Sequence, residues 1–96
     1  MAWGQKDYNI EHIFEQDSVY KKKFSGEIVN GNIYQMTDDM KVPLGKMKNG
    51  KKDGLWTEWY PNKRKLEETY KHGMLDGSVS LFYKNGQKEW SHTYNN

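Results

Sequence analysis

Apolar and polar residues alternate through Leu55–Tyr60 and again through Ser78–Tyr83. Successive side chains of a strand point to opposite faces, so such alternation predicts half-buried β-strands. Trp56, Glu58 and Tyr60 fall on one face, and Leu55, Thr57 and Trp59 on the other. Val79, Leu81 and Tyr83 match the first set; Ser78, Ser80 and Phe82 match the second. Return strands follow, with Leu66, Glu68 and Tyr70 sharing a face in one and Trp90, His92 and Tyr94 in the next. Strands are therefore predicted within 55–60, 65–71, 78–83 and 88–94. Both faces carry aromatics, and parity leaves open which face is buried. No segment has the periodicity of a long helix.

The pattern repeats every 23 residues: Gly50 returns as Gly73, Asp53 as Asp76, Gly54 as Gly77, Tyr60 as Tyr83 and Asn62 as Asn85. A period in this range marks an array of supersecondary units. Each unit reads as loop (Asn49–Gly54, His72–Gly77), strand, tight turn (Tyr60-Pro61-Asn62-Lys63, Lys84-Asn85-Gly86) and returning strand. The expected fold is all-β: a single-layer, elongated antiparallel sheet of consecutive β-hairpins. Lys63 stands where the second unit has Gly86, and a left-handed residue is expected at both.

Upstream the pattern is worn. Ile10, Ile13 and Phe14 have helical spacing, whereas Phe14, Gln16, Ser18 and Tyr20 alternate as a strand would. The reading is an irregular cap running into an edge strand around Val19–Val29, with Lys21, Lys22 and Lys23 as solvated edge lysines. Asn30-Gly31 reads as a hairpin turn between strands at about 25–29 and 32–37. Asp38-Asp39 reads as a polar turn, and Pro43 as part of an edge or irregular stretch. The chain thus divides into a cap and edge strand (1–24), a degenerate first repeat (25–48) and two clear repeats (49–71 and 72–96).

Composition thins the core. Only 34% of the 96 residues are hydrophobic, yet 15% are aromatic, so a thin aromatic layer is expected to drive folding. A net charge of +2, from 15 basic and 13 acidic residues spread along the chain, describes a solvated surface rather than a nucleic-acid tail. With no cysteine there is no disulfide framework or thiolate metal site. No apolar run approaches the roughly 20 residues of a membrane span. No secretory h-region follows the first residues, and a cytoplasmic protein is expected.

Few residues suggest chemistry. His12, His72 and His92 lack zinc-motif spacing, and Asp38-Asp39 has no third ligand in view. Asp53 and Asp76 recur with the fold, and Glu67-Glu68 faces many lysines on neighbouring strands. The sequence points to no catalytic residue, metal or cofactor. Trp56, Trp59, Tyr60, Phe82, Tyr83 and Trp90 are the candidate interface residues. One sheet face must bury its aromatics, and an aromatic face left open marks an interaction surface. The expected function is a non-enzymatic protein-interaction or scaffolding module that self-associates as a homodimer or higher oligomer. The alternative is a binder of phospholipid headgroups or single-stranded nucleic acid, using aromatics flanked by lysines; its mark would be strong salt dependence.

The string NGKKDGLWTEWYPN, then EETYKHG and LDG, then FYKNGQKE, resembles the bacterial variant of the MORN repeat. The resemblance covers residues 45–94, with FSGEIVNGNIY as a degenerate earlier copy. Lys63 in place of the turn glycine and His72 in place of the linker asparagine depart from that pattern. The resemblance implies a single-layer sheet of hairpins without a catalytic residue. It also implies protein partners, among them a toxin for members acting as antitoxins, and scaffolding, dimerisation or membrane phospholipids for eukaryotic relatives.

Overall fold

The computed structural model describes residues 6–95. They form nine strands: β1 (Lys6–Asn9), β2 (Ile13–Gln16), β3 (Val19–Lys22), β4 (Gly31–Thr37), β5 (Met40–Lys48), β6 (Lys51–Trp59), β7 (Lys65–Lys71), β8 (Met74–Phe82) and β9 (Lys88–Tyr94). Seven of these make one sheet in the order β1-β4-β5-β6-β7-β8-β9, and β2 and β3 form a separate hairpin. From β4 to β9 every neighbour is the next strand in sequence and every pairing is antiparallel. This is the all-β architecture of consecutive hairpins that the 23-residue period predicts.

Two-residue turns make four of the eight connections, Asp17-Ser18 between β2 and β3 among them. Asn49-Gly50 joins β5 to β6 and His72-Gly73 joins β7 to β8, each with both φ values positive. Asp38-Asp39 does the same between β4 and β5, at φ 48° and 67°. Turns with two positive φ values follow the natural twist of a hairpin. The expected six-residue loops are therefore shorter than the sequence suggests. Asp53-Gly54 and Asp76-Gly77 lie inside strands. At Gly54, φ 84°, β6 bends and changes partner: Lys51–Asp53 pairs with β5 and Gly54–Trp59 with β7. A dipeptide that reads as a turn thus serves as a kink.

The β6–β7 and β8–β9 connections are wider. Lys63 N–H donates to the Tyr60 carbonyl at 3.0 Å, and Tyr60 N–H to the Arg64 carbonyl at 2.9 Å. Gly86 and Tyr83 repeat both bonds in the next unit. Lys63 has φ 67° and Gly86 φ 89°, as the alignment of the two units predicts. A side chain in this region costs about 1–2 kcal/mol, part of which glycine's larger unfolded-state entropy cancels. Lys63→Gly is expected to stabilise by about 0.5–1 kcal/mol, raising Tm by a few degrees in a calorimetric scan. An unchanged or lower Tm would contradict this assignment of the turn.

The N-terminal third departs from the sequence reading. Residues 1–5 of the expected cap lie outside the described residues. From Lys6 onward the segment is ordered rather than irregular: β1, a single 3-10 turn (Ile10–His12) capped by Asn9, then the β2–β3 hairpin. Asn30-Gly31 is not a hairpin turn, and 25–29 is not a strand; only Ile28 bridges, to Lys21. The reason is that β1 docks parallel to β4, with Lys6 beside Gly31. Asn30 is used instead as an acceptor, its Oδ1 bonding the Asn49 amide at 2.7 Å. Pro43 sits within β5, opposite Tyr34, where a bulge at Leu44 interrupts the ladder. A bulge is where a residue without an N–H can be carried by a paired strand.

The β2–β3 hairpin folds over one face of the sheet as a flap. Its Ile13 joins Tyr8, Val29, Ile33, Met47 and Trp56 in the core, with Ile10, Tyr20, Leu44 and Tyr70 packed around them. Val29 carries the fastening: its N–H donates to the Tyr20 carbonyl at 3.1 Å, and its carbonyl accepts from Gly50 at 2.8 Å. The Tyr20 amide closes the triangle on the Gly50 carbonyl at 2.8 Å. Trp56 lies flat against Gly45, where a Cβ would collide with the indole, and its Nε1 donates to the Lys46 carbonyl at 3.0 Å. The ammonium of Lys52 stands over Trp56 and Tyr70, 4.8 and 4.9 Å from their ring centres.

Candidate interaction surface

Parity and register assign the two faces. The flap covers the face of Ile33, Met47, Trp56 and Tyr70. The opposite face receives no such cover among the described residues, and it presents Leu55 at 54% exposure and Trp59 at 48%.

Cross-strand registry builds rows on this open face. One row runs Trp59–Lys65–Phe82–Lys88 across β6 to β9. Lysines alternate with rings along it. Lys65 Nζ lies 5.6 Å from the Trp59 ring centre and 4.8 Å from that of Phe82, and Lys88 Nζ lies 5.9 Å from Phe82. A cation over a ring face is held by the ring's quadrupole, by about 0.5–1 kcal/mol at an exposed site. Glu67 pairs with Lys65 at 3.2 Å. The adjoining row, Thr57–Glu67–Ser80–Ser91, contains a hydroxyl pair at 3.0 Å, and there Ser80 is buried.

Toward β4 and β5 the same face dips into an open groove of about 480 Å³. Tyr34, Pro43 and Leu55 give it an apolar floor; Asp7, Asn32, Lys41, Lys46 and Asp53 lie around it. Lys41 rests over Tyr34 at 4.6 Å, and Lys46 reaches Asp53 at 4.0 Å. Asp7 accepts a hydrogen bond from Asn32 at 3.3 Å and has no cationic partner among the described residues.

The six aromatics expected at an interface do not form one patch. Trp56 is in the core, at 6% exposure, because Gly45 leaves it a seat and the flap closes over it. Trp59 and Phe82 stand together on the open face. Tyr60 and Tyr83 occupy matching places in successive turns, both exposed. Trp90 lies on the other face, opposite Leu81 and exposed beyond the flap. A bulge at Glu89 puts it there. By the 23-residue period Glu89 should oppose Leu81, as Leu66 opposes Glu58. Glu89 turns aside instead to pair with Arg64, whose guanidinium lies 5.8 Å from the Tyr83 ring centre.

Three features escaped sequence reasoning. Leu55 and Tyr34 belong to the groove; Leu55 could have been found by parity alone once Trp56 was placed inside. Phe24 projects fully into solvent from the flap, at φ 71°, and only the neighbouring Ser25-Gly26 hinted at a tight loop there.

Shifted ionisations lie with the flap and the core. Hydrogen bonds from the Lys6 ammonium and the Tyr8 hydroxyl, at 2.7 and 2.9 Å, hold the Glu27 carboxyl below its usual range. Burial pushes the Tyr8, Tyr20 and Tyr70 phenols up. Among the described residues no three metal-ligating side chains gather into a site, and no helix is long and apolar enough to cross a membrane. No protein-family model, curated protein or solved structure matches the chain.

Proposed function

We propose that this chain is a non-enzymatic interaction module of MORN-like hairpin repeats that self-associates through its open aromatic face. The observation that carries the reading is the contrast between the two tryptophans of β6. Trp56 is covered by the flap, whereas Trp59, on the opposite face, stays half exposed in one row with Phe82, and Leu55 lies further along the same face. Covering such side chains recovers roughly 25 cal/mol per Å² before the cost of association. Lys65 and Lys88 already lie over the Trp59 and Phe82 rings, which favours a protein partner over stacked bases.

Light scattering across a concentration series tests this. The parent is expected to assemble beyond the monomer, and Trp59→Ala to weaken assembly at least tenfold with little change in Tm. A parent that stays monomeric at several hundred micromolar would remove the basis of the reading.

A further inference from the structure

The least satisfied apolar side chain of the described molecule is Phe24, at 107% relative exposure. It is also bound to an unfavourable backbone, φ 71°, in a region that bulky side chains avoid. The loop around it is tightly held. Lys22 N–H donates to the Glu27 carbonyl at 2.7 Å, Gly26 N–H to Lys22 at 2.9 Å, and Lys23 N–H to His12 at 2.9 Å. Ser25 Oγ accepts from the Glu27 amide at 3.1 Å, and the Glu27 side chain is fastened to Lys6 and Tyr8. A strained residue persists where its surroundings over-determine it, and such residues cluster at ligand clamps and binding sites. No contact among the described residues explains why this ring is held out. Lys22 and Lys23, both exposed, precede it, while Lys21 reaches back to Gln16 at 3.0 Å, so the tip is an aromatic plug with two basic side chains beside it.

The open face carries a socket of matching character. The groove by β4–β6 has room for an aromatic side chain with the stems of its neighbours, over the floor of Tyr34, Pro43 and Leu55. Of the four charges around it, Lys41 rests on Tyr34 and Lys46 faces Asp53. Asp7 is left as a carboxylate awaiting a cation.

We infer that the Phe24 tip of one copy docks into the Asp7–Leu55 groove of a second copy, with Lys22 or Lys23 meeting Asp7. This rests on the self-association reading and gives it a direction. Tip and groove are different surfaces, so the contact is heterologous: every copy offers one of each, and assembly continues head to tail into a ring or an open chain.

Mixing two variants tests the geometry. Phe24→Asn removes the plug and keeps a residue tolerant of the left-handed region. Leu55→Lys sets a like charge in the socket. Each alone is expected to assemble at least tenfold more weakly than the parent. Mixed in equal amounts, they should form heterodimers and stop there, since only one intact tip and one intact groove remain per pair. Phe24→Asn should melt no lower than the parent, which separates lost docking from lost folding. Asp7→Lys, which leaves the apolar floor untouched, replaces Leu55→Lys in a second mixture and should pair the same way. If Phe24→Asn assembles like the parent, or both mixtures stay monomeric, the proposal is overturned. Should Trp59→Ala alone dissociate the parent in that case, the face-pairing reading survives without it.

Discussion

Trp56→Ala is expected to destabilise the fold by about 3–5 kcal/mol, the usual range for deleting a buried large aromatic. The indole is the widest member of a core that otherwise consists of one tyrosine and aliphatic side chains. Its loss would open a cavity between the flap and β5 and leave the Lys46 carbonyl without its donor. A domain of this size has only about 5–15 kcal/mol in total, so the variant should be near the edge of folding at 37 °C. Urea denaturation followed by circular dichroism measures the change, and a loss under about 1 kcal/mol would contradict the core described above. Gly45→Ala approaches the same contact from the other side. Its new methyl would occupy the indole's seat, and because the nearest atoms belong to a buried ring rather than a flexible chain end, the ring must move. Trp59→Ala is the contrast within the same strand: it removes an equal side chain from the open face and should leave the midpoint nearly in place.

Gly31→Ala is expected to detach β1 from the sheet. Gly31 has φ 153°, and a Cβ there would run into the carbonyl oxygen of Lys6, which belongs to backbone and cannot swing away. Either β1 withdraws or β4 twists. β1 is the cheaper to lose, being four residues long and held by one neighbour. Its release would take Tyr8 out of the core and loosen the Glu27 latch. The expected cost is about 2–4 kcal/mol, like other large effects of a misplaced methyl at a strained site. Amide hydrogen exchange should show lost protection at Lys6–Asn9 and the flap, with β7–β9 retained. Uniform loss across all strands would mean that the sheet melts as one unit and that β1 is not separable.

The hairpin array was legible because its signals are local. Two-residue alternation, and its recurrence in the next unit, mark β6 to β9, and β4 falls close to the expected 32–37; β5 (Met40–Lys48), read as a polar turn and an irregular stretch, was not foreseen as a strand. Lys63 was readable for the same reason, by alignment with Gly86. What was not legible depends on distant parts of the chain. Asn30-Gly31 carries a genuine turn preference, which the arrival of β1 overrides. Pro43 looks like a strand breaker until the bulge beside it is known. Parity placed Trp56 and Trp59 on opposite faces but could not say which was inside, because the flap that decides it is coded some 40 residues upstream, in a segment whose spacings suit helix and strand alike. The groove was invisible for a similar reason: Asp7 and Leu55 meet there only because β1 is laid beside β4.

That parallel strand also sets the order in which the protein can be completed during synthesis. Each hairpin from β4 onward can close as soon as its second strand appears, within microseconds of emerging. β1 cannot pair until residues 31–34 have followed it, and the core it belongs to is incomplete until Trp56 has been added. Until then Tyr8, Ile13 and Val29 have only part of their core to close upon, and at about 5–20 residues per second that interval lasts seconds. The nascent chain therefore passes seconds with Tyr8, Ile13 and Val29 short of their full core while the β4–β5 hairpin has already formed.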